Sequence, residues 1–280
     1  MVLPEPATEA GREALAALLA EPSRAVVALD FDGTLAPIVA DPRDARAHPR
    51  AVPALSRLAP HLRAVAVITG RPAADAVRFG AFAEAEGLEH LTVLGAYGAE
   101  RWHAPDGAVR APAPPPGVAA VREELPGLLG RLGVPEGTWT EDKGRALAVH
   151  TRRTEAPEEV FALLRAPLTE LAARHGLVVE PGRMVLELRP PGADKGAALA
   201  DFVRETEAGT VLYAGDDLGD LPAFDMVETL RGEGVPGLLI GSGAEGTGES
   251  VPRLAERADL LVPGPEGVAA LLESLARAVE

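Results

Sequence analysis

Two aspartates, Asp30 and Asp32, stand one residue apart directly after the apolar run 25–29. Carboxylates this close together at the end of a buried strand are costly without a cation beside them. Mg²⁺ suits the position, because it prefers oxygen ligands and also binds phosphate oxygens. A carboxylate such as Asp30 can itself attack phosphorus, giving an aspartyl-phosphate that water later hydrolyses. The pair predicts a magnesium-dependent site that hydrolyses phosphate monoesters, although an acidic surface turn could have the same sequence.

Small and polar residues that suit a phosphate group follow two of the apolar runs. Gly33 comes after the paired aspartates and fits a tight turn whose backbone N–H groups can face phosphate oxygens. Thr69 ends the run 64–68, and its hydroxyl can donate to a phosphate oxygen, with Gly70 and Arg71 directly after it. Taken alone, Thr69 also fits an ordinary helix cap before a proline.

Three more carboxylates, Asp216, Asp217 and Asp220, follow a third apolar run at 210–214. A purely structural role would leave their mutual repulsion unexplained. Metal binding explains it, because one or two carboxylates together with water and phosphate are enough to hold Mg²⁺. We therefore predict that Asp216 binds the same ion as Asp30.

Lysine is rare in this chain. Of the 27 Lys and Arg residues only Lys143 and Lys195 are lysine. Where arginine serves almost everywhere, a retained lysine indicates a need for a compact ammonium group that a planar guanidinium cannot replace. Lys195 begins a predicted helix and suits a positive charge shared by Asp30 and a phosphate group. The alternative is two lysines retained by chance on the surface.

The elements around these residues predict how they meet. Three apolar runs that end in polar residues predict strands at 25–29, 64–68 and 210–214. Predicted helices lie at 9–20, 52–62, 72–79, 194–205 and 219–227. Such alternation predicts an α/β fold with a parallel sheet that is buried on both faces. Because strand C-termini share one edge of such a sheet, Asp30, Thr69 and Asp216 should converge there.

Two proline-rich points, at 112–117 and 190–192, enclose a different segment. Between them the pattern predicts helices at 118–132 and 157–175 and strands at 138–142, 146–151, 177–180 and 184–188. The core then resumes with strands at 237–240 and 260–262 and a helix at 265–279. We therefore predict a core domain from residues 1–111 and 192–280, and an inserted α/β domain from residues 112–191.

Composition limits the partners and the location. The 42 acidic against 27 basic side chains give a formal net charge of −15, which would repel nucleic acid and anionic lipid. The chain has no cysteine, which excludes disulfides, thiolate catalysis and Cys-bound zinc. No apolar stretch is long enough to span a membrane, and the N-terminal residues lack a signal-peptide pattern, so we expect a cytoplasmic protein without membrane partners.

The motifs occur in the order found in the haloacid dehalogenase (HAD) superfamily of phosphohydrolases, which this sequence resembles. They are Asp30-Phe-Asp32-Gly-Thr34, Thr69-Gly-Arg71, Lys195-Gly196 and Gly215-Asp-Asp217-x-x-Asp220. The resemblance covers most of the chain. It implies a Rossmann-like parallel-sheet core with a smaller inserted α/β cap domain.

The same resemblance implies a role for each motif. Asp30 would be the nucleophile, and Asp32 the general acid and then the general base. Thr69 and Lys195 would bind the phosphate and the nucleophile. The implied ligands of Mg²⁺ are Asp30, the backbone carbonyl of Asp32, and Asp216, supported by Asp217 or Asp220.

Within that superfamily the sequence most resembles trehalose-6-phosphate phosphatases. The further shared segments are 32–38, 95–100, 141–144, 147–152, 182–190, 216–217 and 223–224. In that family the residues matching Glu141, Lys143 and Glu187 contact sugar hydroxyls, and we also assign Gly70 and Arg71 to substrate binding. Strand residues two apart share a face, so Glu141 and Lys143 can point the same way. The implied substrate is the small molecule trehalose 6-phosphate, with a functional link to a trehalose-6-phosphate synthase.

Two positions depart from the family pattern. Many relatives have Thr-Asp-Glu where this chain has Gly219-Asp220-Leu221, and an Asn or His often stands where this chain has Ala96-Tyr97. Neither change touches the nucleophile. Two alternatives stay open: a phosphatase for sucrose phosphate or mannosyl-3-phosphoglycerate, and an inactive binding partner in disaccharide synthesis. The complete set of catalytic residue types argues against the inactive partner.

Overall fold

The computed structural model describes residues 3–39, 41–182, 184–243 and 252–280. Contacts divide the chain into two compact units, Met1–Ala111 with Asp194–Glu280, and Pro112–Ala193. The larger unit is therefore built from two separate stretches of chain. Among the described residues, no helix has the length and apolar character needed to cross a lipid bilayer.

The described residues form twelve strands and nine α-helices. The strands are β1 (Ala25–Leu29), β2 (Ala64–Ile68), β3 (Leu91–Gly95), β4 (Glu100–His103), β5 (Val109–Arg110), β6 (Trp139–Asp142), β7 (Leu147–His150), β8 (Val178–Gly182), β9 (Val185–Arg189), β10 (Thr210–Gly215), β11 (Gly237–Ser242) and β12 (Leu260–Val262). The helices are α1 (Glu9–Ala20), α2 (Ala51–Leu58), α3 (Ala73–Gly80), α4 (Pro116–Leu132), α5 (Pro157–Arg174), α6 (Lys195–Thr206), α7 (Leu221–Gly232), α8 (Pro252–Ala255) and α9 (Gly264–Val279).

The larger unit contains one eight-stranded sheet in the order β12-β11-β10-β1-β2-β3-β4-β5. The strands from β12 to β3 are parallel, whereas β4 and β5 are antiparallel to their neighbours. The central strands are short and apolar, and every residue of β1, β2 and β10 is buried. This is the pattern of strands that are covered on both faces.

Two apolar clusters cover the two faces of this sheet. Alternate strand residues such as Val27 and Val67 pack with α1, α2, α3 and α9 on one face. Their neighbours, including Val26 and Ala66, pack with α6 and α7 on the other. Each buried Val or Leu side chain contributes about 1.5–3 kcal/mol of transfer free energy. The sheet is thus fixed from both sides, and its strand ends can hold polar side chains rigidly.

The smaller unit has a four-stranded antiparallel sheet in the order β6-β7-β9-β8. One face of this sheet is apolar: Leu147, Val149 and Leu186 pack against α4 and α5. The register places Glu141, Ala148, Glu187 and Glu180 side by side across the four strands. Because side chains alternate along a strand, this row lies on the face away from the helices.

The α/β architecture predicted from the sequence is confirmed, and the predicted strands at 25–29 and 64–68 coincide with β1 and β2. The sheet extends beyond the predicted parallel strands at one edge, where β4 and β5 run antiparallel. Neither these two strands nor β3 is among the strands predicted from the sequence, although β3 is fully buried. In β4 only Trp102 is buried, and its neighbours are charged or partly exposed, so the segment lacks the apolar run that marks the central strands.

Candidate active site

Asp30 lies at the C-terminal end of the central strand of the larger sheet. The last residue of β1, Leu29, pairs with Val67 on one side and Ala214 on the other. The Asp30 N–H donates to the carbonyl of Ala214 at 2.9 Å, so its backbone still follows the sheet. Asp30 is only 3 % exposed. Its carboxylate is therefore held at the edge where the parallel strands end.

Lys195 is the cation that faces Asp30. It begins α6, which is capped by the Asp194 side chain accepting from the N–H of Ala197 at 2.7 Å. Lys195 Nζ lies 2.7 Å from Asp30 Oδ1 and 2.7 Å from Asp220 Oδ1. Burial by itself would lower the pKa of Lys195, but attraction by Asp220 and Asp30 outweighs burial and raises that pKa well above its ordinary value. Lys195 is therefore charged at neutral pH.

Asp220 connects Lys195 to the loop after β10. Its Oδ1 accepts from Lys195 Nζ at 2.7 Å and from the Tyr213 hydroxyl at 2.6 Å. Its Oδ2 accepts from the N–H groups of Asp216 and Asp217 at 2.9 and 3.1 Å. Asp220 is fully buried. With both oxygens engaged, this carboxylate orients the lysine and the loop together.

The carboxylates at these strand ends form a compact acidic group. Among the described residues, Asp30, Asp216 and Asp220 each place one carboxylate oxygen within 4.8 Å of the other two. Burial raises the pKa of Asp30 well above its ordinary value, although Lys195 opposes the shift. Burial also raises the pKa of Asp216, and the charges of Asp217 and Asp30 add to this effect. The oxygen atoms of these carboxylates together provide negative charge and ligands that fit a hard divalent cation such as Mg²⁺.

Asp217 has a different local role. It caps the short 3-10 turn Leu218–Asp220, and its Oδ1 accepts from the N–H of Gly219 at 2.8 Å. Burial, followed by the charge of Asp220, raises the pKa of the Asp217 carboxyl. The residue as a whole is only partly buried.

Gly33 allows the loops after β1 and β10 to touch. Its φ is +80°, and a Cβ at this position would overlap the carboxylate of Asp216. Both the backbone conformation and the lack of space therefore require glycine. The loop is further fixed because Ser242 Oγ donates to the Gly33 carbonyl at 2.7 Å.

Asp32 points to an arginine. Arg71 Nε and Nη2 donate to the two carboxylate oxygens of Asp32, each at 2.5 Å. Arg71 Nη1 also donates to the carbonyl of Pro42 at 2.8 Å. The Asp32 side chain is 38 % exposed, so it is held by the arginine while it stays accessible to solvent. Arg71 therefore lies beside the predicted acid and base.

Thr69 and Tyr97 come from adjacent loops after β2 and β3. The Thr69 hydroxyl accepts from the N–H of Arg71 at 3.1 Å, which leaves its own proton to donate. The Tyr97 N–H donates to the Thr69 carbonyl at 3.0 Å. Ala96 and Tyr97 have φ values of 47° and 57°, a costly conformation for residues other than glycine. A Cβ on Gly70 would lie 2.8 Å from the Tyr97 hydroxyl oxygen, so Gly70 leaves room for the ring.

The smaller unit brings three further predicted residues together on its polar sheet face. Glu141 and Glu187 both pair with Ala148 of β7, so a small residue separates the two carboxylates. Lys143, which follows β6 on the same side, forms an ion pair with Glu187. Glu187 is buried. Arg183, which belongs to one of the segments shared with the family, lies outside the described residues.

The family model of trehalose-phosphatase matches residues 28–249, which is most of the chain. This chain belongs to the trehalose-phosphatase family. A trehalose-phosphate phosphatase of Mycobacterium avium (strain 104) is 37% identical over 223 residues, which cover 76% of this chain and 54% of the relative. The chain spans about half the length of the curated relatives that it matches.

Solved structures of trehalose-phosphatase relatives share the fold. The C-terminal domain of the C. albicans trehalose-6-phosphate phosphatase superposes with a TM-score of 0.77 at 21% identity, covering 98% of this chain and 99% of that one. The C-terminal domain of the Candida albicans trehalose synthase regulatory protein gives a TM-score of 0.68 at 13% identity, covering 98% and 99%. At these identities the likeness establishes the HAD-type fold with a cap and does not distinguish an enzyme from a regulator.

Some residues of this candidate site do not follow from the sequence motifs. Tyr213 holds Asp220, Ser242 holds Gly33, and Tyr97 covers Gly70. For Tyr97 and Tyr213 the sequence offers one signal, the rarity of tyrosine. The chain has two tyrosines, and both lie at this site. Rarity was already informative for the two lysines, so the same reasoning would have selected Tyr97 and Tyr213.

Proposed function

We propose that this protein hydrolyses trehalose 6-phosphate to trehalose and inorganic phosphate through an aspartyl-phosphate on Asp30. The observation that carries the proposal is the placement of the buried Asp30 carboxylate 2.7 Å from Lys195 Nζ, beside Asp216, in a chain of the trehalose-phosphatase family. The lysine offsets the negative charge on the nucleophile and can also face a phosphate oxygen.

In the first step an Asp30 oxygen attacks phosphorus, and the bond from phosphorus to the sugar oxygen breaks. Asp32 gives its proton to that sugar oxygen, so that neutral trehalose leaves. In the second step Asp32 takes a proton from water, the water oxygen attacks phosphorus, and the Asp30 carboxylate is released with inorganic phosphate. Thr69, whose hydroxyl proton is available, and Lys195 would stabilise the charge on the phosphoryl oxygens.

The oxygen donors at the strand ends fit Mg²⁺. Asp30, Asp216 and the backbone carbonyl of Asp32 would hold the ion, which neutralises charge on the phosphoryl group when bound. Asp220 supports the site indirectly, because its oxygens are engaged by Lys195, Tyr213 and two backbone N–H groups. Asp217, which is only partly buried, would support the ion from the same loop.

The smaller unit would recognise the sugar. Glu141, Lys143 and Glu187 lie on one polar sheet face and combine carboxylate acceptors with an ammonium donor. Charged groups of this kind form strong hydrogen bonds with the hydroxyls of a disaccharide. In the larger unit, Gly70 and Arg71 would lie near the phosphate, with Arg71 bound to Asp32. A trehalose-6-phosphate synthase would supply the substrate, which gives the two activities a functional link.

Phosphate release tests this proposal directly. Purified protein with Mg²⁺ should release phosphate from trehalose 6-phosphate faster than from sucrose phosphate or mannosyl-3-phosphoglycerate. A preference for either of the other two would move the assignment to another sugar-phosphate phosphatase. The Asp30→Asn variant should be inactive, because its amide cannot form the acyl-phosphate. A wild-type protein without activity on any of the three would favour the regulatory alternative.

A further inference from the structure

An aromatic pair lies next to the proposed sugar-binding residues. Trp139 of β6 and His150 of β7 are direct partners in the antiparallel register. Their rings stack with centroids 4.0 Å apart and planes inclined by 5°. The guanidinium of Arg153 also lies over the indole, 5.2 Å from its centroid. The stacking contact with the indole therefore restricts the ring of His150.

A ring nitrogen of His150 also contacts a carboxylate. His150 Nε2 lies 2.9 Å from Glu141 Oε2, within hydrogen-bond distance. The side chains of His150 and Glu141 are 14% and 22% exposed. A continuous set of contacts thus runs from Trp139 through His150 to Glu141.

The contact between His150 and Glu141 matters for sugar recognition because it orders the Glu141 side chain. Glutamate has three rotatable side-chain bonds, and a free carboxylate would have to be ordered when a sugar binds. Glu187 is already fixed by its ion pair with Lys143 and by burial. His150 supplies the corresponding restraint for Glu141, since the stack with Trp139 limits the ring and Nε2 then limits the carboxylate.

We propose that Trp139 and His150 are positioning residues for sugar recognition, which hold the Glu141 carboxylate in the orientation that accepts hydrogen bonds from sugar hydroxyls. The proposal rests on the proposed function, in which Glu141 binds the sugar. It assigns neither ring a direct contact with the reacting phosphate. The expected effect is therefore on substrate binding and specificity, with the chemical step left in place.

His150→Phe is the main test, because phenylalanine keeps a flat ring for stacking and removes the nitrogen that contacts Glu141. The ratio of KM for trehalose 6-phosphate to KM for p-nitrophenyl phosphate, which has no sugar, should rise about tenfold. Trp139→Leu should shift the ratio in the same direction. His150→Gln, which retains an N–H donor, should recover part of the loss.

The chain offers a matched control. His175 Nε2 makes the same kind of contact with Glu124 Oε1, at 2.8 Å, in the same unit but between its helices. His175→Phe should leave the KM ratio unchanged. In a Glu141→Gln background, His150→Phe should add no further rise, because His150 acts through Glu141. An independent rise in that background, or an unchanged ratio in His150→Phe, would overturn the positioning role.

Trehalose binding separates this inference from the proposed function. The chain has two tryptophans, and Trp102 lies in the core of the other unit. In a Trp102→Phe protein only Trp139 reports, and its fluorescence should change saturably as trehalose is added. The added His150→Phe change should weaken this binding about tenfold.

Each combination of results has a defined meaning. Hydrolysis of trehalose 6-phosphate together with a wild-type KM ratio in His150→Phe overturns the positioning role and keeps the function. If trehalose 6-phosphate is not hydrolysed, the proposed function fails, and trehalose binding then tests the positioning role. Weaker trehalose binding by His150→Phe supports that role. Absent trehalose binding, or binding that His150→Phe leaves unchanged, overturns it. Circular dichroism of each variant would verify folding. If His150→Phe does not fold, Trp139→Leu replaces it in the KM comparison, and His150→Leu replaces it in the fluorescence titration, where Trp139 has to be kept as the reporter.

Discussion

Arg71 donates two hydrogen bonds to the Asp32 carboxylate, from Nε to Oδ2 and from Nη2 to Oδ1, each 2.5 Å long. The guanidinium is itself held by the carbonyl of Pro42 at 2.8 Å and lies 5.2 Å from the centroid of the Phe79 ring. Such a two-point contact fixes the plane of the carboxylate as well as its position. In the proposed mechanism, Asp32 must deliver a proton to one particular oxygen, so its orientation bears on rate.

Arg71→Ala should lower kcat for trehalose 6-phosphate about tenfold or more, because a loose Asp32 loses part of the benefit of general acid and base catalysis. Arg71→Lys should recover little, since an ammonium group cannot bind both carboxylate oxygens in one plane. Steady-state kinetics would measure kcat and KM separately. If Arg71 instead binds the substrate phosphate, KM should rise while kcat changes little.

Arg78→Ala is a suitable control for the Arg71 variants. Arg78 also lies over the Phe79 ring, at 4.6 Å, and pairs with Asp75 on the surface. Its removal should change neither kinetic constant. Equal losses in the Arg71 and Arg78 variants would mean that disturbance of the Phe79 ring, and not release of Asp32, lowers the rate.

The fold was predictable where burial alone defines an element. The residues of β1 are all apolar and all buried, so the sequence pattern is sufficient there. The edge strand β4 differs, because Arg101 forms an ion pair with Glu205 and only Trp102 enters the core. The two residues of β5 have no pattern of their own, and their pairing with β4 depends on tertiary structure.

The site was predictable in its composition and less so in its contacts. Strand order explains why Asp30 and Asp216 meet, since Leu29, directly before Asp30 in β1, is the register partner of Ala214, two residues before Asp216 in β10. The direction of the Arg71 side chain depends on Pro42 and Phe79, which no local motif relates to it. The sequence therefore suggests a phosphate contact for Arg71, whereas the structure pairs it with Asp32.

Asp220→Asn and Asp217→Asn should affect stability differently. The Asp220 amide would place an N–H₂ group among donors, and it would leave Lys195 with Asp30 as its ion-pair partner, so we expect a loss of about 2–3 kcal/mol of unfolding free energy. Asp217 accepts from Gly219 and is only partly buried, so its amide should cost under about 1 kcal/mol. Urea unfolding measures both. Similar losses would contradict the separate roles of the two residues.

The acidic group predicts how Mg²⁺ and pH act together on stability. Burial raises the pKa of Asp30 and Asp216 in the folded protein. Their contribution to stability is therefore complete below the ordinary pKa of 3.8 and is lost as pH rises through the raised values. Without a divalent cation, stability should fall as pH rises above 3.8. Mg²⁺ binds the ionised carboxylates, so the Tm increase that it causes should grow with pH.

Calorimetry with EDTA or with Mg²⁺ at several pH values measures this increase. Surface pairs such as Arg50 with Glu273 lower the pKa of the carboxyl, so their contribution is lost as pH falls. Because those pairs do not involve the ion, they cancel in the difference between the two conditions. Asp216→Asn should abolish most of the increase. A Tm increase that is constant with pH would contradict coupling between the ion and these carboxylates.

Gly33→Ala should disrupt the site because an added Cβ would displace Asp216, and a second glycine serves as the control for backbone strain alone. Gly33 has a φ of +80°, and an added Cβ would overlap the Asp216 carboxylate. Gly107 has a φ of +63° and no heavy atom within 4 Å of the corresponding Cβ. Both alanine variants should bear about 1 kcal/mol of backbone strain, but only Gly33→Ala has to displace Asp216. We expect kcat to fall about a hundredfold or more in Gly33→Ala, because displacement of the Asp216 carboxylate would misplace the reacting groups. Gly107→Ala should keep wild-type activity, with a small decrease in Tm. Phosphate release and thermal unfolding of the two proteins would test this pair, and equal activities would show that the contact between Gly33 and Asp216 does not set the geometry of the site.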